Sequence, residues 1–361
     1  MIRVARIGNY PTSIYNKVGY HGYQLGYTEN LNTFYISPKL EGDFLELPIN
    51  SSLKSFTFFL EAYPKKGSFP KKIFFLLRRI LSILTFSIKS VVYLSRKKID
   101  VVHIHSPMFC LIGLWGKLAG KQVFITFHGQ DFHKIENSKL YEFFGFIFNG
   151  VFAISPTMIE RLTEIHKEIE VILVGNGTEE IFENLHLDRE KQIIFVGSFK
   201  PVKGHQLMID GFAKFVQKNK DYQLLFVGSG ALESELKTYV KEKQLSNFIQ
   251  FLGQKSTSEL VQLYNKAEIF ALNSFSEGFP KVILEALACG CKVISTKVGS
   301  VPDILGHNYP FFIEEHTAVS VFNTLEKIVQ TEDRIFEEYK NIPLQHSWEN
   351  IRSIYLNQYQ T

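Results

Sequence analysis

The apolar positions of this chain gather in short continuous runs, separated by longer stretches with helical spacing. IRVARIG (2–8), NTFYIS (32–37), VVHIH (101–105), VFITFH (123–128), VFAIS (151–155) and VILVG (171–175) each predict a strand buried on both faces. A polar stretch, 178–191, interrupts the series. The rhythm restarts with IIFVG (193–197), QLLFVG (223–228), IQFLG (249–253), EIFAL (268–272) and KVIST (292–296). Strand and helix in alternation predict a parallel, doubly wound sheet, and two series with a gap predict two α/β units. Ligands in such sheets gather at the carboxyl ends of the strands, so two facing sheets predict one cleft, with a hinge expected near 178–191. The last stretch, 332–361, reads as helix, and its pattern does not choose the unit that receives it.

Length agrees, since 361 residues make two domains at roughly 150 residues each. With 45% apolar and 21% charged residues the chain is an ordinary globular one, which excludes wholesale disorder. Forty basic against 36 acidic residues leave +4, too small an excess to indicate nucleic acid, and no such partner is expected. The three cysteines, Cys110, Cys289 and Cys291, have no CxxC spacing, so neither a disulfide framework nor a structural metal is expected. MIRVARIGNYP lacks the apolar core and cleavage site of a signal peptide, and no stretch reaches 18 apolar residues. A cytoplasmic protein without a membrane span is expected.

Charge is unevenly spread. Between Ala62 and Lys98 lie ten basic residues and no acidic one: Lys65, Lys66, Lys71, Lys72, Arg78, Arg79, Lys89, Arg96, Lys97 and Lys98. They flank FFLL, ILSILTF and VVYL. Such a helix reads either as a membrane-surface element meeting anionic headgroups or as a core-packing helix with a solvated basic face.

The chemistry concentrates in SFSEGFPKVILEALACGCKVIST, residues 274–296. Glu277 lies in the loop after EIFAL, and Pro280 suits the first turn of a helix, VILEALA, that stops at Gly290. The amides of Lys281, Val282 and Ile283 at its start are expected to lack intrahelical partners and to form an anion site fit for a phosphate. Glu285, five residues beyond Pro280, rises about 7.5 Å along the helix and could accept from hydroxyls beyond that phosphate. Two carboxylates bracketing a phosphate cradle suit a nucleotide-sugar, although two surface glutamates at this spacing are also common by chance.

With FVGSFKPVKG, LLFVGSG, LYNKAEIFALNSFSEGFPKVILEALACGCKVIST and VGSVPDIL in the second half, the chain resembles glycosyltransferase family 4, retaining enzymes of GT-B fold and group 1 type. The first half joins in through THGQD (Thr126, His128, Gly129, Asp131), AISPTMIERL and VGNGTEEIF around Asn176 and Gly177. The resemblance implies two Rossmann-like, doubly wound domains facing across a cleft. Residues 1–178 would form the acceptor-binding domain and 179–340 the nucleotide-sugar-binding domain. Residues 341–361 would be a helical segment able to pack back on the first. It also implies transfer of a hexose-type sugar from a UDP- or GDP-sugar to a glycan or lipid-linked acceptor hydroxyl, with retention, in polysaccharide biosynthesis. A protein peripheral on the inner face of the membrane through 65–98 fits that role.

Carried over by position, Glu277 would contact donor-sugar hydroxyls within Glu277, Gly278, Phe279, Pro280, Lys281, Val282 and Ile283, and Glu285 would hold the ribose. Lys203 would neutralise the diphosphate as the glycosidic bond breaks. His128 would stand where sugar and acceptor meet, whereas His103 and His105, inside an apolar strand, read as core. Two positions depart from the family. Ser198 stands where many members carry arginine, which leaves Lys200 as the substitute. Of the paired glycines in the N-terminal loop only Gly19 is present, with Val18 in place of the other.

No DxD pair offers a metal to the diphosphate, so a reaction without metal or other cofactor is expected, with Lys203 and the helix start doing that work. The rival readings are weaker. GSGALE (228–233) lacks the third glycine of a dinucleotide fingerprint, the basic helix disfavours a nucleotide-sugar epimerase, and only Ser198 supports a non-catalytic GT-B subunit docking a partner enzyme.

Overall fold

The computed structural model describes residues 1–11, 20–38, 45–58, 69–128, 144–165 and 168–361, the side chains of 69–71 excepted. It divides into two compact units, Met1–Gly175 with Trp348–Thr361, and Asn176–Ser347.

The first unit holds a seven-stranded parallel sheet: β1 (Ile2–Ile7), β2 (Leu31–Pro38), β3 (Ser51–Phe56), β4 (Val101–Ile104), β5 (Gln122–Phe127), β6 (Gly150–Ala153) and β7 (Val171–Leu173). Its order is β3-β2-β1-β4-β5-β6-β7, with Ile2 opposite Leu31 on one side of β1 and Val4 opposite Val101 on the other. The winding reverses between β1 and β4, the switch point at which doubly wound sheets bind ligands. Val4, Ala5, Val102, Ile104, Val123 and Ile125 are fully enclosed, which is why these runs are continuous and not alternating. Around them lie α1 (Tyr20–Gln24), α2 (Phe69–Ser95), α3 (Cys110–Leu118) and α4 (Pro156–Ile165).

The second unit repeats the plan with six strands: β8 (Glu190–Val196), β9 (Gln223–Val227), β10 (Ile249–Gly253), β11 (Ala267–Leu272), β12 (Lys292–Thr296) and β13 (Phe312–Ile313), in the order β10-β9-β8-β11-β12-β13. Its helices are α5 (His205–Phe215), α6 (Glu233–Glu242), α7 (Thr257–Lys266), α8 (Lys281–Ala288), α9 (Val301–Leu305), α10 (Ala318–Val329) and α11 (Ile342–Gln345). A capping box starts α7, with Ser256 and Glu259 each satisfying the other's backbone N–H. The polar stretch 178–191 is tied into this unit. Leu185 donates its N–H to Asn265 Oδ1 at 2.7 Å, and Arg189 donates to the carbonyls of Tyr264 (2.7 Å) and Cys289 (2.5 Å) at the ends of α7 and α8.

Every strand read from the apolar runs is present. β3 and β13 have no such run because they are edge strands: SSLKSF is half-solvated along its length, and β13 has two residues. The final helix, α12 (Trp348–Gln360), belongs to the first unit, where Tyr355 packs on Phe152 at 4.2 Å and Tyr359 on Phe124 at 5.3 Å between ring centroids. Among the described residues no helix is long and apolar enough to cross a membrane, and no His, Cys, Asp and Glu cluster is arranged to hold a metal ion. The cysteines are buried free thiols.

Candidate functional site

In the second unit, the loops at the carboxyl ends of β8 and β11 are joined. After Val196 the chain passes Gly197 to Lys200 and enters one 3-10 turn, Pro201–Lys203, closed by Gly204 at φ +68°. A Cβ at Gly204 would lie 2.2 Å from the Asn273 carbonyl oxygen, so only glycine fits. The approach is close because Phe275 donates its N–H to the Val202 carbonyl at 2.8 Å and Asn273 Nδ2 donates to the Gly204 carbonyl at 3.1 Å. Lys203 Nζ therefore stands 2.5 Å from Glu277 Oε1, and Ser274 Oγ donates to the same oxygen at 2.6 Å. With side-chain exposures of 19% and 12%, the pair is largely withdrawn from solvent.

The Glu277 loop is held from its other side by Ser300, whose N–H donates to the Gly278 carbonyl at 3.0 Å, and by Thr296 Oγ1, which donates to the Ser274 carbonyl at 2.7 Å. Phe279 meets the His346 ring at 5.5 Å, and Pro280 is the buried residue ahead of α8. Lys281 opens the helix with Nζ 3.7 Å from Glu179 Oε1, and Val282 is half-buried beside it.

One expectation needs correction. The Ile283 N–H is not a free donor for an anion, because it donates to the Pro280 carbonyl at 3.1 Å, and its side chain is fully buried. The first turn closes early through this bond, as helix ends often do. Glu285 is 6% exposed, with Oε2 accepting from the Tyr264 hydroxyl at 3.3 Å. Burial and the carboxylate together hold the Tyr264 pKa well above its usual value. Ser198 is half-buried and Lys200 exposed on the same loop. Gly228, in GSGALE, has φ +140°, and a Cβ there would lie 2.0 Å from the Gly197 carbonyl oxygen. That glycine answers to close packing of β9 on the lysine loop and calls for no dinucleotide.

In the first unit His128 follows β5, its ring 5.9 Å from that of His105 and 5.3 Å from that of His21. Burial pushes its pKa down to about 4, so the imidazole is neutral at neutral pH. Gly19, Gly129 and Asp131 lie outside the described residues. His103 and His105 are core residues, stacked at 4.2 Å, and burial lowers both pKa values well below the usual range. His21, Tyr355 and Tyr359 join this cluster without any local motif, whereas Ser274, Tyr264 and Glu179 in the second unit lie within quoted motifs that assigned them no role.

Residues 55–179 match the family model of Glycosyltransferase Family 4, and residues 176–342 that of Glycosyl transferases group 1. An uncharacterised glycosyltransferase of Methanocaldococcus jannaschii is 26% identical over 272 residues, covering 71% of this chain and 75% of that protein. The N-acetylgalactosamine-N,N'-diacetylbacillosaminyl-diphospho-undecaprenol 4-alpha-N-acetylgalactosaminyltransferase of Campylobacter jejuni is 30% identical over 53% of this chain and 49% of its own length. Among solved structures, Anabaena HepE, in complex with UDP and glucose, superposes with a TM-score of 0.72 at 16% identity, with both chains covered completely. Two parallel α/β units with this likeness define a transferase enzyme of GT-B fold. The chain belongs to the family 4, group 1 type glycosyltransferases.

Proposed function

We propose that the protein transfers a hexose-type sugar from a nucleoside diphosphate to a hydroxyl of a lipid-linked glycan, with retention at the anomeric carbon, in polysaccharide assembly. The observation that carries this reading is the Lys203–Glu277 pair, a cation and a carboxylate 2.5 Å apart at the carboxyl end of a parallel sheet. A diphosphate oxygen competing for Lys203 would release Glu277 Oε1 to accept from a sugar hydroxyl, so binding of the two donor ends is coupled at one contact. As the glycosidic bond breaks, charge grows on the leaving phosphate and Lys203 stabilises it, which makes the reaction independent of added metal. Retention, which the family likeness suggests, calls for same-face attack, with the leaving phosphate taking the acceptor proton. His128, neutral and half-buried, lines the acceptor side. UDP, present in the HepE complex, is the first nucleotide to test, and GDP the second. An inverted product in anomeric NMR couplings, or activity abolished by EDTA and restored by a divalent ion, would sink this mechanism.

The acceptor belongs at a membrane surface because of α2. Nine large apolar side chains from Ile73 to Val92, among them Phe74, Leu77, Leu81 and Ile88, are 41–62% exposed. At 3.6 residues per turn they fall within an arc of about 160°. Phe86, Ser90 and Leu94 face the core along a different line, with Phe86 packed on Phe58 and Phe109. Thus α2 presents a second apolar face outward, bordered by Lys72, Arg78, Arg79 and Lys89, which fits an anionic bilayer interface, at about 1 kcal/mol per basic residue near the surface. The Campylobacter relative's name places an undecaprenol-linked sugar as its acceptor. Co-sedimentation should require anionic vesicles, weaken with salt, and fall when Leu77, Leu81 and Ile88 become Ser. Wild-type protein left in the supernatant at low salt would reject the membrane reading.

A further inference from the structure

Glu277 Oε1 accepts from one movable donor and one fixed donor. Lys203 Nζ, at 2.5 Å, ends a flexible four-carbon stem and can turn to a new anion. Ser274 Oγ, at 2.6 Å, has no such freedom, because its side chain is short and fully buried. It springs from a peptide unit held on both sides. The Ser274 carbonyl accepts from Thr296 Oγ1 at 2.7 Å, and the Phe275 N–H of the same unit donates to the Val202 carbonyl at 2.8 Å. Thr296, 1% exposed, ends β12, and Val202 lies in the turn that carries Lys203, so the unit is clamped between two neighbouring segments. The backbone of Glu277 is held as closely. Gly299, at φ +53°, comes so near that a Cβ there would lie 2.1 Å from the Glu277 carbonyl oxygen, and the Ser300 N–H donates to the following carbonyl, that of Gly278, at 3.0 Å. What remains adjustable is the Glu277 side chain, and Ser274 meets its end.

The geometry points to Ser274 as the positioning residue of Glu277. A carboxylate oxygen accepts along two lone pairs, so Oε1 can keep Ser274 while its other position passes from Lys203 to a sugar hydroxyl. When a diphosphate draws Lys203 away, the Ser274 bond is the tether that stays, and it keeps the carboxylate in one orientation through the exchange. The two donors thus divide the work: Lys203 follows the charge of the ligand, and Ser274 preserves direction. Ser274 acts through Glu277 and needs no contact of its own with sugar or phosphate. The inference rests on the reading of Glu277 as the residue that meets the donor sugar. It goes beyond that reading by naming what holds the carboxylate when its cation leaves.

Ser274→Ala removes the fixed bond and little else. Calorimetric titration with UDP and with GDP reads the diphosphate end of the site. Nucleotide release from UDP-hexoses and GDP-hexoses, with water or a polyprenyl-diphosphate sugar as acceptor, reads the sugar end. Ser274→Ala should lower kcat about tenfold, as lost orientation does, while the nucleotide Kd stays within about twofold of wild type. Nucleotide affinity that falls in step with kcat would mean that the serine only shapes the loop, since Val202 and Lys203 share its clamp, and overturns the positioning role. Full kcat in Ser274→Ala, where Glu277→Gln is impaired, overturns it as well and leaves the reading of Glu277 standing. Full activity in Glu277→Gln overturns the reading of Glu277, and the purpose of Ser274 with it. A wild type that releases nucleotide from none of the conjugates overturns the donor reading itself.

Discussion

The two units solve the same problem, polar groups at the carboxyl end of a parallel sheet, in opposite ways. In the second unit the polar side chains are matched charges: Lys203 with Glu277, Lys281 with Glu179. In the first they are imidazoles and hydroxyls around the Arg6 guanidinium, which reaches His103 Nδ1, the Tyr359 hydroxyl and the Leu25 carbonyl. Movable charge pairs suit a highly charged, exchangeable ligand such as a diphosphate, since the ligand can take one partner's place. A neutral network suits a hydroxyl acceptor, which needs direction from its surroundings more than charge.

The contrast breaks most easily at Lys203. Lys203→Ala should weaken nucleoside-diphosphate binding by roughly ten- to hundredfold, the loss of one charged hydrogen bond of about 1.5–3 kcal/mol, whereas Glu277→Gln should lower turnover more than affinity. Calorimetric titration and initial rates separate the two, and unchanged donor affinity in Lys203→Ala would remove the charged site.

The second expected effect is on pH. Burial pushes His128 and His205 down to about 4 from an ordinary 6.5, and lowers His103 and His105 as well. Below about 6.5 the unfolded chain therefore binds more protons than the native one. Stability should be full above that pH and drain away as pH falls towards 4. Melting temperatures across pH 7.5 to 4 check the sign, and a chain carrying His105→Phe should lose less than wild type. A flat or rising profile would mean that the imidazoles are charged in the fold.

A smaller gain is expected from His205→Phe. The ring is 2% exposed among Phe195, Phe199 and Phe226, and neither nitrogen has a hydrogen-bond partner among the described residues. Removing that unmet demand should stabilise by about 1 kcal/mol in chemical denaturation. Destabilisation instead would mean that the ring nitrogens are satisfied in solution. Smallest of all, Ser198→Arg should tighten and Lys200→Ala loosen nucleotide binding by about threefold, since both act from the more exposed rim of the lysine loop. Nucleotide titrations of the two variants should move in opposite directions, and movement in the same direction would remove Lys200 as the substitute for the missing arginine.

Much of this was legible in the residue order. Inner strands of a parallel sheet are enclosed on both faces, so a run such as VFITFH has one reading, whereas the edge strand SSLKSF carries no comparable mark. Lys203 and Glu277, 74 residues apart, were legible because each sits beside its own local mark: Lys203 precedes the turning glycine, and Glu277 lies three residues before the Pro280 that starts α8. The Ile283 amide was misjudged because a short bond within the first helical turn depends on the exact backbone path, which residue types do not specify.

What the sequence by itself determined is therefore the set of elements, their grouping into two parallel α/β units, and the motif residues of the second. These follow from local periodicity and backbone preference. Only the tertiary structure decided that Arg6, His103, Thr126, Tyr355, Tyr359 and His21 share one chain of hydrogen bonds, and that α12 belongs with the first unit. It likewise decided that α2 keeps a second apolar face outward. Hydrogen bonding and burial depend on which side chains meet in space, and partners up to 353 residues apart leave no mark in one another's neighbourhood along the chain.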